Sequence, residues 1–317
     1  MTQQPVYSVV LPLYNEEANL PVLYDRLTAV MQRLGQTYEI LFVDDGSSDA
    51  SVAIVRQLNA RDPQIKLVKL SRNFGHQLAV SAALDHVEGD AVVVIDGDLQ
   101  DPPEVIPELV AKWKEGFDVV YAQRRSRQGE TWFKKSTAKL FYRLLRFITN
   151  IDIPLDTGDF ALMDKKVVSV LKQMPERSRF IRGMRAWTGY PATGVLYDRQ
   201  ERVAGSSKYT LRKMVKFATT GILAFSVAPL RIAIHLGLFM AFCSFVATIA
   251  VIVLKLTTGL LVQGWASLML AVIFIGGIQL FIMGMLGEYI GHIYDEVRRR
   301  PLYVIREYHG IDVRARS

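Results

Sequence analysis

The chain has 317 residues, half of them hydrophobic, a net charge of +7 and one cysteine, Cys243. A single cysteine excludes an internal disulfide and any cysteine-based metal site, and the length allows one large domain or two smaller ones. The positive balance suits an anionic partner: nucleic acid, a membrane surface or an anionic substrate.

The polar start, residues 1–5, leads straight into an apolar run and reads as no signal peptide. From Val6 to Tyr121 apolar runs alternate with helical stretches. Strands are predicted to begin near Tyr7, Tyr38, Lys66, Asp90 and Phe117, with helices over about 18–34, 50–59, 76–86 and 103–114. Strands alternating with helices predict βαβ units and an α/β domain with a mostly parallel sheet.

The polar residues gather at the strand ends. The first strand ends in Asn15-Glu16-Glu17, the second in Asp44-Asp45-Gly46-Ser47-Ser48-Asp49, the fourth in Asp96-Gly97-Asp98. Open α/β sheets place ligands at the carboxyl ends of parallel strands. Asp96 and Asp98 are hard oxygen ligands suited to Mg²⁺ or Mn²⁺ beside substrate phosphates, and Gly97 lets the turn approach a ligand closely. No G-x-G-x-x-G follows the first strand and no G-x-x-x-x-G-K-[ST] occurs, which argues against a dinucleotide dehydrogenase or a P-loop enzyme. Acidic strand ends suggest a nucleotide held through its base and ribose, with a metal on its diphosphate. Asp49, with Ser47 and Ser48, reads as a cap for the next helix.

LPLYNEE, FVDDGSSD and VVIDGDLQDPPE, in this order, resemble the GT-A nucleotide-sugar glycosyltransferases of the inverting family that includes dolichol-phosphate mannose synthase. LDTGDFALMDKKVV, RSRFIRGMRAWTGY and ERVAGSSKYTLRKMVKFA resemble its bacterial polyisoprenyl-phosphate branch. The resemblance covers essentially the whole chain. It implies a GT-A, Rossmann-like catalytic domain and nucleotide contacts from Pro12, Tyr14, Glu16 and Asp44. It also implies a metal-binding D-x-D at Asp96 and Asp98, with Gln100 beside the donor sugar. Asp159 stands where the family places its proposed base, with Asp156 as the nearby competitor; it would accept a proton or orient the donor sugar.

Two basic segments precede the apolar end of the chain. In 131–150, Lys135, Lys139, Arg143 and Arg146 fall on one side and Phe133, Leu140, Phe141, Leu144 and Ile148 largely on another, as in a helix lying in a membrane interface. Residues 207–226 carry Lys208, Arg212, Lys213 and Lys216 ahead of an apolar half, a polybasic lead into a membrane. Residues 236–254 and 265–287 contain no charged residue, and each exceeds the roughly 17 residues needed to cross hydrocarbon, so two C-terminal transmembrane helices are predicted. Arg231 and Arg298–Arg300 against a single Lys255 in the connecting loop place both termini in the cytoplasm of a multi-pass protein of the cytoplasmic membrane. The expected division is a catalytic domain over 1–228, a two-helix membrane domain over 229–290 and a cytoplasmic tail over 291–317. The tail, PLYVIREYHGIDVRARS, suits either an added strand or an oligomer contact. Gly276, Gly277, Gly284 and Gly287 permit close helix approach and a homo-oligomer, for which the resemblance suggests a tetramer.

Spans with so few polar groups argue against a transporter. A processive synthase would need more spans and a Q-x-x-R-W motif, to which Arg182–Trp187 is the nearest stretch. Nucleic acid as a partner explains neither the spans nor the acidic strand ends. The resemblance implies a membrane polyprenyl phosphate as acceptor: its phosphate loses a second proton near pKa about 6, so it needs a cationic cradle more than a strong base. Arg124, Lys135, Arg202 and Lys208 are the candidates. By resemblance the donor is a nucleotide sugar: UDP-glucose foremost, with UDP-N-acetylglucosamine, a UDP-aminoarabinose derivative and GDP-mannose as alternatives. The acceptor implied is undecaprenyl phosphate.

Overall fold

The computed structural model describes residues 4–125, 157–177, 179–199, 228–258 and 264–311. The segments 131–150 and 207–226, and with them Lys135, Arg202 and Lys208, lie outside the described residues.

The first unit is a sheet with helices. Its strands are β1 (Tyr7–Leu13), β2 (Tyr38–Asp44), β3 (Ile65–Leu70), β4 (Ala91–Val94), β5 (Val119–Arg124), β6 (Thr157–Asp164), β7 (Ala192–Tyr197) and β8 (Ile305–His309). Its helices are α1 (Leu20–Leu34), α2 (Ser51–Arg61), α3 (His76–His86), α4 (Ile106–Lys114), α5 (Lys165–Gln173) and α6 (Ile181–Trp187). The sheet order is β7-β5-β6-β4-β1-β2-β3-β8. β4, β1, β2 and β3 run parallel, as do β5 and β7, whereas β6 and β8 run antiparallel to their neighbours. This is the mostly parallel α/β architecture expected.

Strands buried on both faces read as unbroken apolar runs rather than alternating ones. β1, β2 and β4 show this, every residue being buried. Val9, Leu11, Leu13, Ile40, Phe42, Ile65, Leu67 and Val93 build the core with Leu20, Leu23 and Leu27 of α1 and Ile106 and Leu109 of α4. α1 stops at Gly35, whose φ of 65° is left-handed and whose N–H donates to Gln32 O at 3.1 Å. β4 pairs with β1 only up to Val94↔Val10, so Leu11–Leu13 keep β2 alone, and Pro12 sits there, where a missing N–H costs the sheet least.

At the end of the sheet opposite the acidic loops, Glu39 is 2% exposed and accepts from Ser8 Oγ, from the Glu88 N–H at 2.9 Å and from Lys66 Nζ at 2.6 Å. This knot fixes the start of three strands to the β4 approach.

The chain's last described stretch was open to two readings, and it forms a strand. β8 pairs antiparallel with β3 (Leu67↔His309, Lys69↔Glu307). Arg56 pairs with Glu307, Tyr303 Oη donates to Asp85 Oδ2 at 2.7 Å, and the Ser71 N–H donates to Val304 O at 2.8 Å. Residues 300–311 therefore belong to the sheet unit and do not stand apart as a tail, which corrects the expected boundary at 291.

The second unit holds two long helices, α7 (Ala228–Thr258) and α8 (Trp265–Val297), each running through an expected apolar span. Phe239, Phe242, Phe245, Leu280 and Met283 are exposed, apolar surface that soluble monomers keep small. Among the described residues one stretch, Phe274–Val297, is long and apolar enough to cross a membrane by length and composition.

Candidate active site

The site grows from the loops that leave the carboxyl ends of the parallel strands. The first two are laced together by their own polar groups. The Asn15 N–H donates to Ser47 Oγ at 2.9 Å, and the Ser48 N–H donates back to Asn15 Oδ1 at 2.9 Å. The Glu17 N–H donates to Asp49 Oδ2 at 3.1 Å, and Glu17 Oε2 accepts from the Ala50 N–H at 2.8 Å. Asp49 Oδ1 also accepts from the Ser51 N–H at 3.0 Å, the helix-start role read from the sequence. Asp44 is buried and accepts from the Ser47 N–H at 3.1 Å. Glu16 holds Asn19 Nδ2 at 2.6 Å, and Tyr14 is half exposed beside it.

Asp45 carries a role the sequence did not single out. Its oxygens accept from the Phe74 and Gly75 N–H groups at 2.7 and 2.9 Å. Burial raises its pKa and those two hydrogen bonds oppose the rise. The carboxylate shapes the β3–α3 loop, and Gly46 lets that loop close in. A methyl there, at φ 76°, would stand 2.6 Å from the Asn73 backbone nitrogen. The result sets His76 at the start of α3.

The fourth loop carries the acidic pair. Asp98 Oδ1 accepts from the Gln100 N–H at 3.2 Å, so the side chain turns its own loop. Asp96 Oδ1 is shielded from solvent and has no hydrogen-bond partner among the described residues. Burial pushes the Asp96 pKa up to about 6; the His76 charge pulls it down and Asp159 adds to the rise. A carboxylate oxygen left without a donor suits a cation. No group of three or more His, Cys, Asp or Glu side chains forms a metal cage among the described residues. Two carboxylates with substrate phosphates completing the shell is the usual manner of holding Mg²⁺, so Asp96 and Asp98 fit such an ion. Gly97 between them packs tightly: a methyl would meet Leu13 Cδ2 at 2.7 Å and Glu16 Cγ at 3.8 Å. Pro12, Glu16 and the D-x-D loop are thus neighbours.

β6 runs antiparallel to β4 with Val94↔Ala161, so its first residues lie at the acidic end of the sheet. There Asp159 is enclosed. Arg182 Nε donates to its Oδ1 at 2.7 Å and Arg182 Nη2 to Oδ2 at 3.3 Å. His76 Nε2 lies 3.0 Å and Gln77 Nε2 3.0 Å from Oδ2. Burial works against the Asp159 charge, but Arg182 and His76 overcome it and hold the carboxyl far below the usual range. Burial likewise opposes the His76 imidazolium, but the Asp159 hydrogen bond and the Asp96 and Asp159 charges raise its pKa to about 9. His76 therefore bridges Asp159 and Asp96, the latter at 3.6 Å. A carboxylate held in this ion pair is a poor proton acceptor, which favours the orienting role over the proton-accepting one of the two expected for Asp159. Gln77 Oε1 accepts from the Ile181 N–H at 2.9 Å, so one side chain joins α3, β6 and α6.

Arg124 comes to the same place. Its Nε donates to Tyr197 Oη at 3.3 Å, and its Nη2 lies 3.6 Å from the position of a Cβ on Gly158. Tyr197 Oη in turn donates to buried Asp101, which Arg199 Nε approaches at 3.5 Å. The structure thus gathers Pro12, Tyr14, Glu16, Asp44, Asp96, Asp98, Gln100, Arg124 and Asp159 at one end of the sheet. His76, Gln77, Arg182 and Asp45 were missed. The only signal for His76 was its place after a strand end, in LSRNFGHQ.

Known proteins give this geometry a context. The family model described as glycosyl transferase family 2 matches residues 8–171, and that of the GtrB C-terminal hairpin matches residues 228–293. The uncharacterized glycosyltransferase YkcC of Bacillus subtilis (strain 168) is 49% identical over 98% of this chain and 97% of its own. The SfII prophage-derived bactoprenol glucosyl transferase of Shigella flexneri is 43% identical over 95% of this chain and 98% of its own. A crystal structure of glucosyl-3-phosphoglycerate synthase from Mycobacterium tuberculosis, in complex with Mn²⁺, UDP and phosphoglyceric acid, shares the fold. Its TM-score is 0.51 at 20% identity, over 69% of this chain and 76% of that one. With the acidic strand ends in place and near-full-length relatives on both sides of the helical unit, the chain belongs to glycosyl transferase family 2.

Proposed function

We propose that the protein transfers glucose from UDP-glucose to a membrane polyprenyl phosphate, undecaprenyl phosphate in kind, with inversion at the anomeric carbon. The observation that supports this reading is that similarity to bactoprenol glucosyl transferases runs through both the catalytic unit and the helical one. A phosphate oxygen of the acceptor bonds to the anomeric carbon as the bond to the diphosphate breaks, and UDP leaves.

Asp96 and Asp98 hold Mg²⁺ or Mn²⁺ in this reading, and the ion supplies Lewis-acid stabilisation of the leaving diphosphate. Pro12, Tyr14, Glu16 and Asp44 receive the nucleotide, and Gln100 lies beside the sugar. The acceptor oxygen is already largely anionic at neutral pH, its second pKa being about 6. Asp159, fixed by Arg182 and His76, then orients the donor sugar and needs to take no proton. Arg124, with Lys135, Arg202 and Lys208, neutralises the approaching phosphate. α7 and α8 each cross the membrane with both termini cytoplasmic, and their small residues serve a homo-oligomer.

The test is transfer of label. Membranes containing the protein, given radiolabelled UDP-glucose and Mg²⁺ or Mn²⁺, should form an organic-extractable labelled lipid. Only soluble products, or none, across UDP-glucose, UDP-N-acetylglucosamine, the UDP-aminoarabinose derivative and GDP-mannose would overturn the reading.

A further inference from the structure

Three side chains from separate elements form one run of hydrogen bonds at the acidic end of the sheet: Arg124, Tyr197 and Asp101. β5 and β7 run parallel and pair Arg124 with Tyr197, the last residue of each strand. Arg124 Nε donates to Tyr197 Oη at 3.3 Å, and Tyr197 Oη donates its own proton to Asp101 Oδ1. A phenol has one O–H to give and can also accept, so the direction of both bonds is set. Burial raises the Tyr197 pKa, the Asp101 charge adds to the rise and Arg124 opposes it, so the phenol keeps that proton at neutral pH. The ring is held as well. Tyr197 is 4% exposed, and Phe160 of β6 meets it edge-on with centroids 5.8 Å apart. Asp101 comes from the loop after β4, the loop that carries Asp96 and Asp98. It is 1% exposed, and Arg199 Nε lies 3.5 Å from the same oxygen.

The interposed hydroxyl matters for the cation. A carboxylate facing an arginine directly takes two N–H groups at once and neutralises the fork there. Here the buried acid reaches the guanidinium through one oxygen, which engages Nε. The Nη end extends further: Nη2 lies 3.6 Å from the position of a Cβ on Gly158, the residue before Asp159. A guanidinium is planar and rigid, so holding Nε restricts the direction of both Nη groups. We infer that Tyr197 and Asp101 are positioning residues that hold the Arg124 fork in the orientation in which it meets the acceptor phosphate. The inference rests on the proposed acceptor role of Arg124 and adds what aims it. Without the hydroxyl, binding has to order a long side chain that the free protein had already ordered, a loss of about three- to tenfold in affinity.

The experiment uses the full chain in detergent micelles, as wild type, Tyr197→Phe, Arg124→Ala and the double variant, with a thermal midpoint recorded for each. Undecaprenyl phosphate and UDP with Mg²⁺ are titrated separately. Arg124→Ala should weaken lipid binding about ten- to hundredfold, as when a charge-assisted hydrogen bond is lost. Tyr197→Phe keeps the ring against Phe160 and should weaken lipid binding about three- to tenfold while sparing UDP. Added to Arg124→Ala it should weaken binding no further, because a positioning residue has no effect once the group it holds is gone. Three results overturn the inference: the same loss on top of Arg124→Ala, a loss confined to UDP, or a lower midpoint with lipid affinity unchanged. Should Tyr197→Phe fail to fold, Asp101→Asn decides, since it removes the charge and leaves an oxygen for the phenol. A lipid-affinity loss of about threefold that vanishes in the Arg124→Ala background supports the inference, and wild-type affinity overturns it. Loss in Arg124→Ala with none in Tyr197→Phe sinks the inference alone. No loss in Arg124→Ala removes Arg124 from the acceptor site, and the proposed role and the inference fall together. Sugar transfer by the wild type is measured alongside; its absence with lipid binding intact would sink the proposed reaction and leave the positioning of Arg124 to stand on the binding data.

Discussion

Gly97 separates the two carboxylates of the acidic loop, and its neighbourhood sets a measurable test. A Cβ at Gly97 would stand 2.7 Å from Leu13 Cδ2, against 3.4–4 Å for ordinary contact. Relief needs a shift of about 0.7–1.3 Å, by difference, shared between the loop and Leu13. Leu13 is 2% exposed at the end of β1, so it cannot simply swing into solvent. Overpacking a core typically costs about 1–3 kcal/mol, and the terminal methyl of a leucine yields toward the lower end, about 1–2. For a unit of this size that is a fall of about 2–8 °C in midpoint. Activity should suffer more than stability, because displacing catalytic groups by 1 Å can cost about a hundredfold. Gly97→Ala should therefore stay folded, lose about a hundredfold in kcat/KM and require more divalent ion. Leu13→Val removes the offending methyl at a cost of about 1 kcal/mol. If packing is the cause, L13V/G97A should regain at least tenfold over G97A, a favourable coupling in a double-mutant cycle. A double variant as inactive as G97A would refute the packing argument and show that the glycine is needed for close approach of a ligand.

Asp98→Ala should abolish divalent-dependent transfer while preserving the thermal midpoint; full activity in the variant, or in wild type with EDTA, would refute the metal assignment. The Asp159 pKa is depressed in the fold, so its stabilisation is present above the unfolded value of about 3.9 and disappears as pH falls through the folded one. The midpoint gap between wild type and Asp159→Asn should accordingly be widest near neutrality and shrink below about pH 4; a gap constant from pH 7 to 3 would count against the ion pair. Glu39→Ala leaves Lys66 half-buried without its acid and should cost about 3 kcal/mol, with kcat per folded molecule unchanged because the knot lies at the far end of the sheet. Arg202→Ala and Lys208→Ala should each raise the KM for polyprenyl phosphate about ten- to hundredfold and spare nucleotide-sugar binding; loss of donor binding instead would move these residues to the diphosphate.

What the sequence revealed follows from the range over which each signal acts. β1, β2 and β4 are buried on both faces, so their apolar runs stand out in a short window, and the acids that end them mark the site. Asp96 and Asp98 declare themselves within three residues. The enclosure of Asp159 does not: Gln77 meets it across 82 positions and Arg182 across 23. Neither α3 nor α6 carries a pattern that announces a polar end facing a carboxylate. The sequence leaves Asp159 open as a proton acceptor or an orienting group for the donor sugar, because its donors come from elements that only the fold brings near. Asp45 was overshadowed by Asp44 for a similar reason, since its partners are backbone N–H groups of another loop. The sequence leaves the tail open between a strand and an oligomer contact because an edge strand such as IREYH is short and mostly polar, and polar edges are how sheets discourage further pairing.

The position of β8 has a consequence for how the protein is made. Arg56 and His309, which meet beside the β3–β8 pair, are 253 residues apart in the chain. A ribosome adding about 5–20 residues per second needs roughly 10–50 s to cover that stretch. Throughout that interval the rest of the sheet can form while the edge of β3 stays bare, and the helical unit is synthesised before the covering strand exists. Completion of the catalytic sheet thus waits on the helices. A nascent chain stalled among them would present an open strand edge, the surface that invites pairing with another molecule. Cutting the chain after β7 to obtain a protein free of its helices would reproduce that state permanently. A version that keeps the sheet whole must carry residues 300–311 across the deletion by a linker.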